Sequence, residues 1–221
     1  MSPDFSPVLE YWPFLLKALG VTLQLSGASV LCGMVIGLVV GIWRAYGGRV
    51  ARWLIALYVD SVRAIPILVI IIWTYFALPL VIGVSIQPIG AGILALSFHL
   101  GAYAVEVVRA GLLSVRPGQL RAALALGMSR RQAIRVIVLP QALIRMLPPI
   151  GSLIVIAVKD SAIASVVAVP ELMRQSQLLA GITYRPFEIF TTTMLLYFLI
   201  LYPIARGTDR IYRKLAHLGA S

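Results

Sequence analysis

Between Lys17 and Arg44 lie 26 consecutive residues without a charge. At about 1.5 Å of rise per residue, a helix of that length crosses a hydrocarbon core about 30 Å thick. Lipid offers no hydrogen bonds, so a segment there must satisfy its backbone internally, which an α-helix does. The rest of the chain fits the same solvent. It is 60% hydrophobic and 12% charged, about half the charged fraction of a soluble domain, which is about 25%. The fold class is therefore all-α, a polytopic membrane protein.

The net charge of +11 does not point to nucleic acid. The basic residues sit in short stretches between long uncharged runs, and no aromatic-basic platform or recognition helix stands out. Cys32 lies alone in an apolar run, so there is no disulfide framework and the residue reads as a small packed hydrophobe. At the N-terminus, Asp4 and Glu10 stand where a signal peptide has basic residues, so the first apolar run is expected to stay as a helix.

Five spans are expected, at about residues 18–43, 53–80, 89–113, 148–170 and 189–205, with a basic loop at 114–147. Gly33, Gly37 and Gly41 recur every four residues in the first, a small-residue stripe that lets another helix approach closely. Residues 81–88 read as a tight turn and 171–188 as a mixed polar connection. The first loop, the long loop with its edges, and the tail hold 14 of the 19 Lys and Arg. The positive-inside rule then puts the N-terminus outside and the C-terminus in the cytoplasm.

The long loop has local grammar of its own. Arg116-Pro117-Gly118-Gln119 opens a short helix, Leu120, Ala122, Ala123, Leu124, Ala125 and Leu126 make an apolar rod, and Gly127 ends it. Ser129 and Gln132 have capping-box spacing and start a second helix running to Pro140. An apolar rod on a water-facing loop needs a groove, supplied either by a partner or by the chain's own membrane domain.

Ala122-Ala123, three residues, Gly127, nine residues, then Ile137-x-Leu139-Pro140 resembles the EAA motif of ABC importer permeases, with no gap in the spacing. The flanking AYAVEVVRAGLLSVRPGQ, LPQALIRMLPPIG and VKDSAIASVVAVPEL are similar to the polar amino-acid permease family, and the resemblance covers nearly the whole chain. It implies a type I ABC importer permease fold like that of methionine importers, in which the loop is a cytoplasmic coupling helix docked in an ATPase subunit. Gln119, Arg121, Ala122, Ala123 and Gly127 are the expected ATPase-coupling residues. Implied partners are a cytoplasmic ATPase dimer, a second permease chain (identical or paralogous), an extracytoplasmic solute-binding protein and an amino-acid substrate. The expected location is the cell inner membrane. Two departures stand out: Arg121 replaces the glutamate that names the motif, and Arg63-Ala64-Ile65-Pro66 stands where many relatives have Arg-Gly-Thr-Pro.

Ionisable groups at membrane depth cost about 2.5–3.5 kcal/mol each on insertion scales. Asp60, Arg63, His99, Lys159 and Asp160 could share one depth near the midplane. Asp60 and Arg63, three apart, either pair on one helix face or face a path. Glu106 and Arg109, also three apart but nearer the cytoplasmic end, read as a structural ion pair. A zwitterionic substrate needs counterparts of both signs, so Arg63, Lys159 and Asp160, with His99, are the candidate substrate path. No catalytic set competes: no GxxxxGK[ST] loop occurs, and His99 and His217 lie too far apart in sequence for a metal site. No cofactor is expected, ATP being bound by the partner ATPase. The alternative reading is an ion-coupled secondary transporter or channel subunit, for which a docking loop has no use.

Overall fold

The computed structural model describes residues 4–215, so His217 lies outside the described residues. The described chain is helical throughout: α1 Ser6–Glu10, α2 Trp12–Tyr46, α3 Arg49–Ala64, α4 Ile67–Ile82, α5 Pro88–Leu113, α6 Pro117–Ala125, α7 Arg130–Val167, α8 Leu172–Thr183 and α9 Pro186–Leu215. Among them α2, α5, α7 and α9 are each long and apolar enough to cross a bilayer, and the bent pair α3–α4, counted as one span, brings the candidates to five.

Prolines and left-handed residues punctuate the helices. Pro88, Pro117 and Pro186 begin α5, α6 and α9, where a missing N–H costs nothing. Gly83 ends α4 at φ 70. Ala168 and Tyr184, at φ 60 and φ 54, turn the chain after α7 and α8 despite carrying a Cβ.

The centre of the fold is the seam between α2 and α5. The glycine stripe lies on it: a Cβ at Gly33 would come 3.0 Å from that of Leu100, one at Gly37 would strike Ala104, and one at Gly41 would sit 2.7 Å from that of Val108. Two matching four-residue periods thus interlock. The helix that the stripe lets approach closely is one of its own chain.

Several boundaries differ from the sequence expectation. The second span, expected at 53–80, is two helices bent by 102°. Pro66 is the cause, because its ring bars helical geometry to the preceding residue, and Ile65 is extended at φ −88, ψ 130. The loop expected at 114–147 and the span at 148–170 are not separate: α7 runs unbroken for 38 residues from the loop into the bundle. A π-turn at Ile134–Val138 accommodates Pro140. Pro148 and Pro149 lie inside the helix, held by a packed stripe of Val138, Ala142 and Met146 against Val108 and Leu112 of α5. Tertiary packing outweighs their helix-breaking cost, about 3 kcal/mol each in isolation.

The segment 171–188, read as a connection, contains the 12-residue helix α8. Glu171, fully buried, caps it by accepting from the backbone N–H groups of Met173 (2.8 Å) and Arg174 (2.7 Å), and Tyr197 Oη donates to it at 3.1 Å. Glutamate is a rare N-cap, which is why pattern reading missed it. The last span, expected at 189–205, is a 30-residue helix whose basic end continues to Leu215. Positive charge suits a helix C-terminus.

Candidate functional site

The α3–α4 break opens a cavity of about 380 Å³ lined by Arg63, Pro66, His99, Tyr103, Ile156 and Asp160. Its polar and aromatic groups come from three helices. Arg63 sits in the last turn of α3. His99 and Tyr103 of α5, and Ile156 and Asp160 of α7, are each four residues apart and so share a helix face. The Arg63 guanidinium carbon stands 5.0 Å from the Tyr103 ring centroid, close enough for a cation–π contact. The His99 ring lies 5.1 Å from that of Tyr103, inclined at 58°. His99 is buried, and its Nδ1 has no hydrogen-bond partner among the described residues. Asp160 is half-buried and Arg63 exposed. The wall therefore presents a cation, a carboxylate and an imidazole, none paired with another.

Of the expected path residues, Arg63, His99 and Asp160 come together. Lys159 does not line the cavity: it is exposed on another face, as adjacent helical residues about 100° apart must be. Asp60 is exposed, and among the described residues it forms no ion pair with Arg63. Tyr103 was missed, although its spacing of four from His99 was visible in the sequence.

Below the cavity, Arg109 donates to Glu106 through Nε at 3.1 Å and Nη2 at 2.9 Å. Arg44, absent from the sequence reading of this pair, places its Nε 2.9 Å from the other carboxylate oxygen. Arg44 also donates to the Ile55 carbonyl at 3.4 Å, so one guanidinium links α2, α3 and α5.

At the basic end, α6 ends in a Schellman turn. Gly127, at φ 83, donates to Leu124 O at 3.0 Å, and Met128 donates to Ala123 O at 3.1 Å. The Ser129–Gln132 capping box then starts α7. Arg121, Ala122 and Gly127 are exposed, as is Leu126 at 84%, whereas Gln119 is half-buried. Ala123, also among the expected coupling residues, lies on the opposite face. It is 1% exposed and faces inward with Leu120, because positions three apart share a face and this one seats the rod on the bundle. One face of the rod thus packs on its own chain and the other is exposed.

The family model described as binding-protein-dependent transport system inner membrane component matches residues 33–217. The glutamine transport system permease protein GlnP of Escherichia coli (strain K12) is 34% identical over 216 residues, covering 97% of this chain and 99% of that one. Among solved structures, an amino acid ABC transporter with histidines superposes with a TM-score of 0.89 at 31% identity, covering 97% and 100% of the two chains. The MetNI methionine ABC transporter, in inward facing conformations, superposes at 0.76 with 25% identity, covering 97% and 99%.

Proposed function

Because this chain belongs to the binding-protein-dependent transport system inner membrane components, the permease subunits of ABC importers, we propose that it carries polar amino acids inward by ATP-driven alternating access. The family is a transport component rather than an enzyme, and it works with an ATPase and a solute-binding protein. The ion-coupled alternative has no support in these relationships.

The observation that carries the substrate reading is the cavity where Arg63, His99 and Asp160 converge from three helices. Arg63 meets the substrate carboxylate and Asp160 its ammonium, while Tyr103 holds the guanidinium in place. The volume of about 380 Å³ suits a small polar molecule. Glutamine transport by a relative at 34% identity supports an amino acid of this kind. The cavity is open to one side, and a second permease chain closes it. The N-terminus faces out and the C-terminus in, so the free face of α6 meets the ATPase in the cytoplasm.

Uptake by proteoliposomes holding the permease, its ATPase and its binding protein tests the assignment. Asp160→Ala should lower uptake at least a hundredfold while the complex still assembles. Lys159→Ala should have a far smaller effect. Wild-type uptake by the Asp160 variant would sink the cavity as the path.

A further inference from the structure

Residues 107–158 contain no Asp or Glu yet carry seven arginines. Within the chain this stretch has little to neutralise it. Arg109 uses Glu106, and Arg145 donates to the Ser114 carbonyl. Arg116 and Arg130 are exposed, and neither has an ion-pair partner among the described residues. Both stand at a cavity of about 410 Å³ whose other walls, Tyr46 of α2 aside, are apolar, among them Leu112 and Leu113 at the end of α5, Leu120 of α6, and Val138 of α7. A neighbouring basin of about 640 Å³ shares Arg130 and adds Arg131 and Arg135 to the rim.

We propose that this cavity holds an anionic phospholipid of the cytoplasmic leaflet. Its phosphate lies between Arg116 and Arg130, and an acyl chain lies along Leu112, Leu113, Leu120 and Val138. Two independent features select this occupant. Basic pockets between membrane helices on the cytoplasmic side attract anionic headgroups, and here the basic mouth leads to an apolar wall formed by the last turn of a membrane helix. The ATPase is not the occupant, because the cavity reaches α6 only at its first residue, Pro117, and at the half-buried Leu120, whereas Arg121, Ala122, Leu124 and Ala125 are exposed along the rest of that helix, away from the cavity. The lipid props α6 against α5 and α7 from behind, so that the anionic lipid content of the membrane bears on how firmly the docking element is seated.

The inference rests on the cytoplasmic orientation proposed above, and the test separates the two. The full-length permease, alone and with its ATPase, is titrated with phosphatidylglycerol in detergent and followed by native mass spectrometry, with phosphatidylcholine as the neutral comparison. One phosphatidylglycerol per chain should be retained in preference. The double variant Arg116→Gln with Arg130→Gln should weaken that binding roughly 30-fold, about fivefold for each arginine. The double lysine variant should keep it, and Leu113→Gln, at an exposed wall position, should weaken it with both arginines in place. Equal retention of phosphatidylcholine overturns the proposal, as does undiminished binding by both glutamine-bearing variants. Displacement of the lipid by the ATPase, or by free glycerol phosphate at matched concentration, overturns it too. Separately, Leu126→Cys in a Cys32→Ser background is exposed to an impermeant maleimide on right-side-out vesicles. Labelling there refutes the orientation while leaving the lipid selectivity standing.

Discussion

Two levels of one stripe on α5 hold ionisable groups in opposite states. His99, Tyr103 and Glu106 recur at helical spacing and face the same way, with about 10 Å between the upper and lower groups. At the lower level Glu106 is gripped by Arg44 and Arg109. At the upper level Arg63, His99 and Asp160 surround a cavity without pairing. What differs is where the compensation comes from: inside the chain below, outside it above. A charge satisfied within the chain fixes helices in place. One left open is available to a ligand that comes and goes.

The comparison predicts that damage below shows as lost stability and damage above as lost transport. The largest effect on stability belongs to the seam that brings the two helices into register. Gly37→Leu puts a side chain where even a Cβ meets Ala104. Overpacking of this kind costs about 3 kcal/mol, and here the obstruction is backbone as well as side chain. Thermal melting in detergent should show the fold lost or severely weakened.

Next comes Glu106→Gln, which leaves Arg44 and Arg109 partly buried without an anion. Removing one partner of a fully buried ion pair costs about 3–5 kcal/mol. With side chains 16–36% exposed at this cluster, solvent screening reduces that to about 1–2 kcal/mol. Residual uptake per folded molecule should stay near wild type. A variant that melts normally yet fails to transport would show that the lower level also serves the path.

The two levels were unequally legible in the sequence. Glu106 and Arg109 are local, three residues apart, and the sequence displays their pairing directly. Arg44 joins them across the α2–α5 seam, a contact that only the interlocked stripes reveal. Pro66 is a helix breaker visible in the sequence, but the 102° bend that opens the cavity depends on how the two halves pack. Lys159 and Asp160 looked equivalent because depth can be counted along a chain, whereas facing depends on the rotation of α7. That rotation is fixed by Val138, Ala142 and Met146, roughly four to six turns away. Glu171 stayed hidden because a glutamate N-cap has no distinctive pattern.

Tyr103 sharpens the upper half of the comparison. Tyr103→Leu keeps an apolar body but removes the ring that Arg63 faces at 5.0 Å. A cation–π contact is worth about 0.5–1 kcal/mol at exposed sites, so stability should fall by no more than that. Uptake should weaken about fivefold, mainly through a raised KM, as a mispositioned guanidinium still carries its charge. Tyr103→Phe keeps the ring face and should restore most of the affinity. Equal loss in both variants would assign the role to the hydroxyl.

The smallest effect should come from a third cluster that resembles the lower one in its members but not in its surroundings. At the far end, Arg185 lies 3.7 Å from Asp4 and 3.5 Å from Glu188, and the Asp4 backbone N–H donates to Glu188 at 3.0 Å. One cation between two carboxylates inverts the arrangement around Glu106. Asp4, however, is open to water, and its carboxylate accepts from the Ser6 backbone N–H, which with Arg185 holds its pKa below the ordinary value of 3.8. A depressed carboxylate adds stability above its unfolded pKa and loses it as pH falls toward the folded one. Asp4→Asn should therefore narrow the difference in melting temperature between neutral and strongly acidic pH. At neutral pH the shift should be slight and should shrink further with salt. A loss rivalling that of Glu106→Gln would break the comparison, because burial would then not be what makes a charge cluster hold the fold.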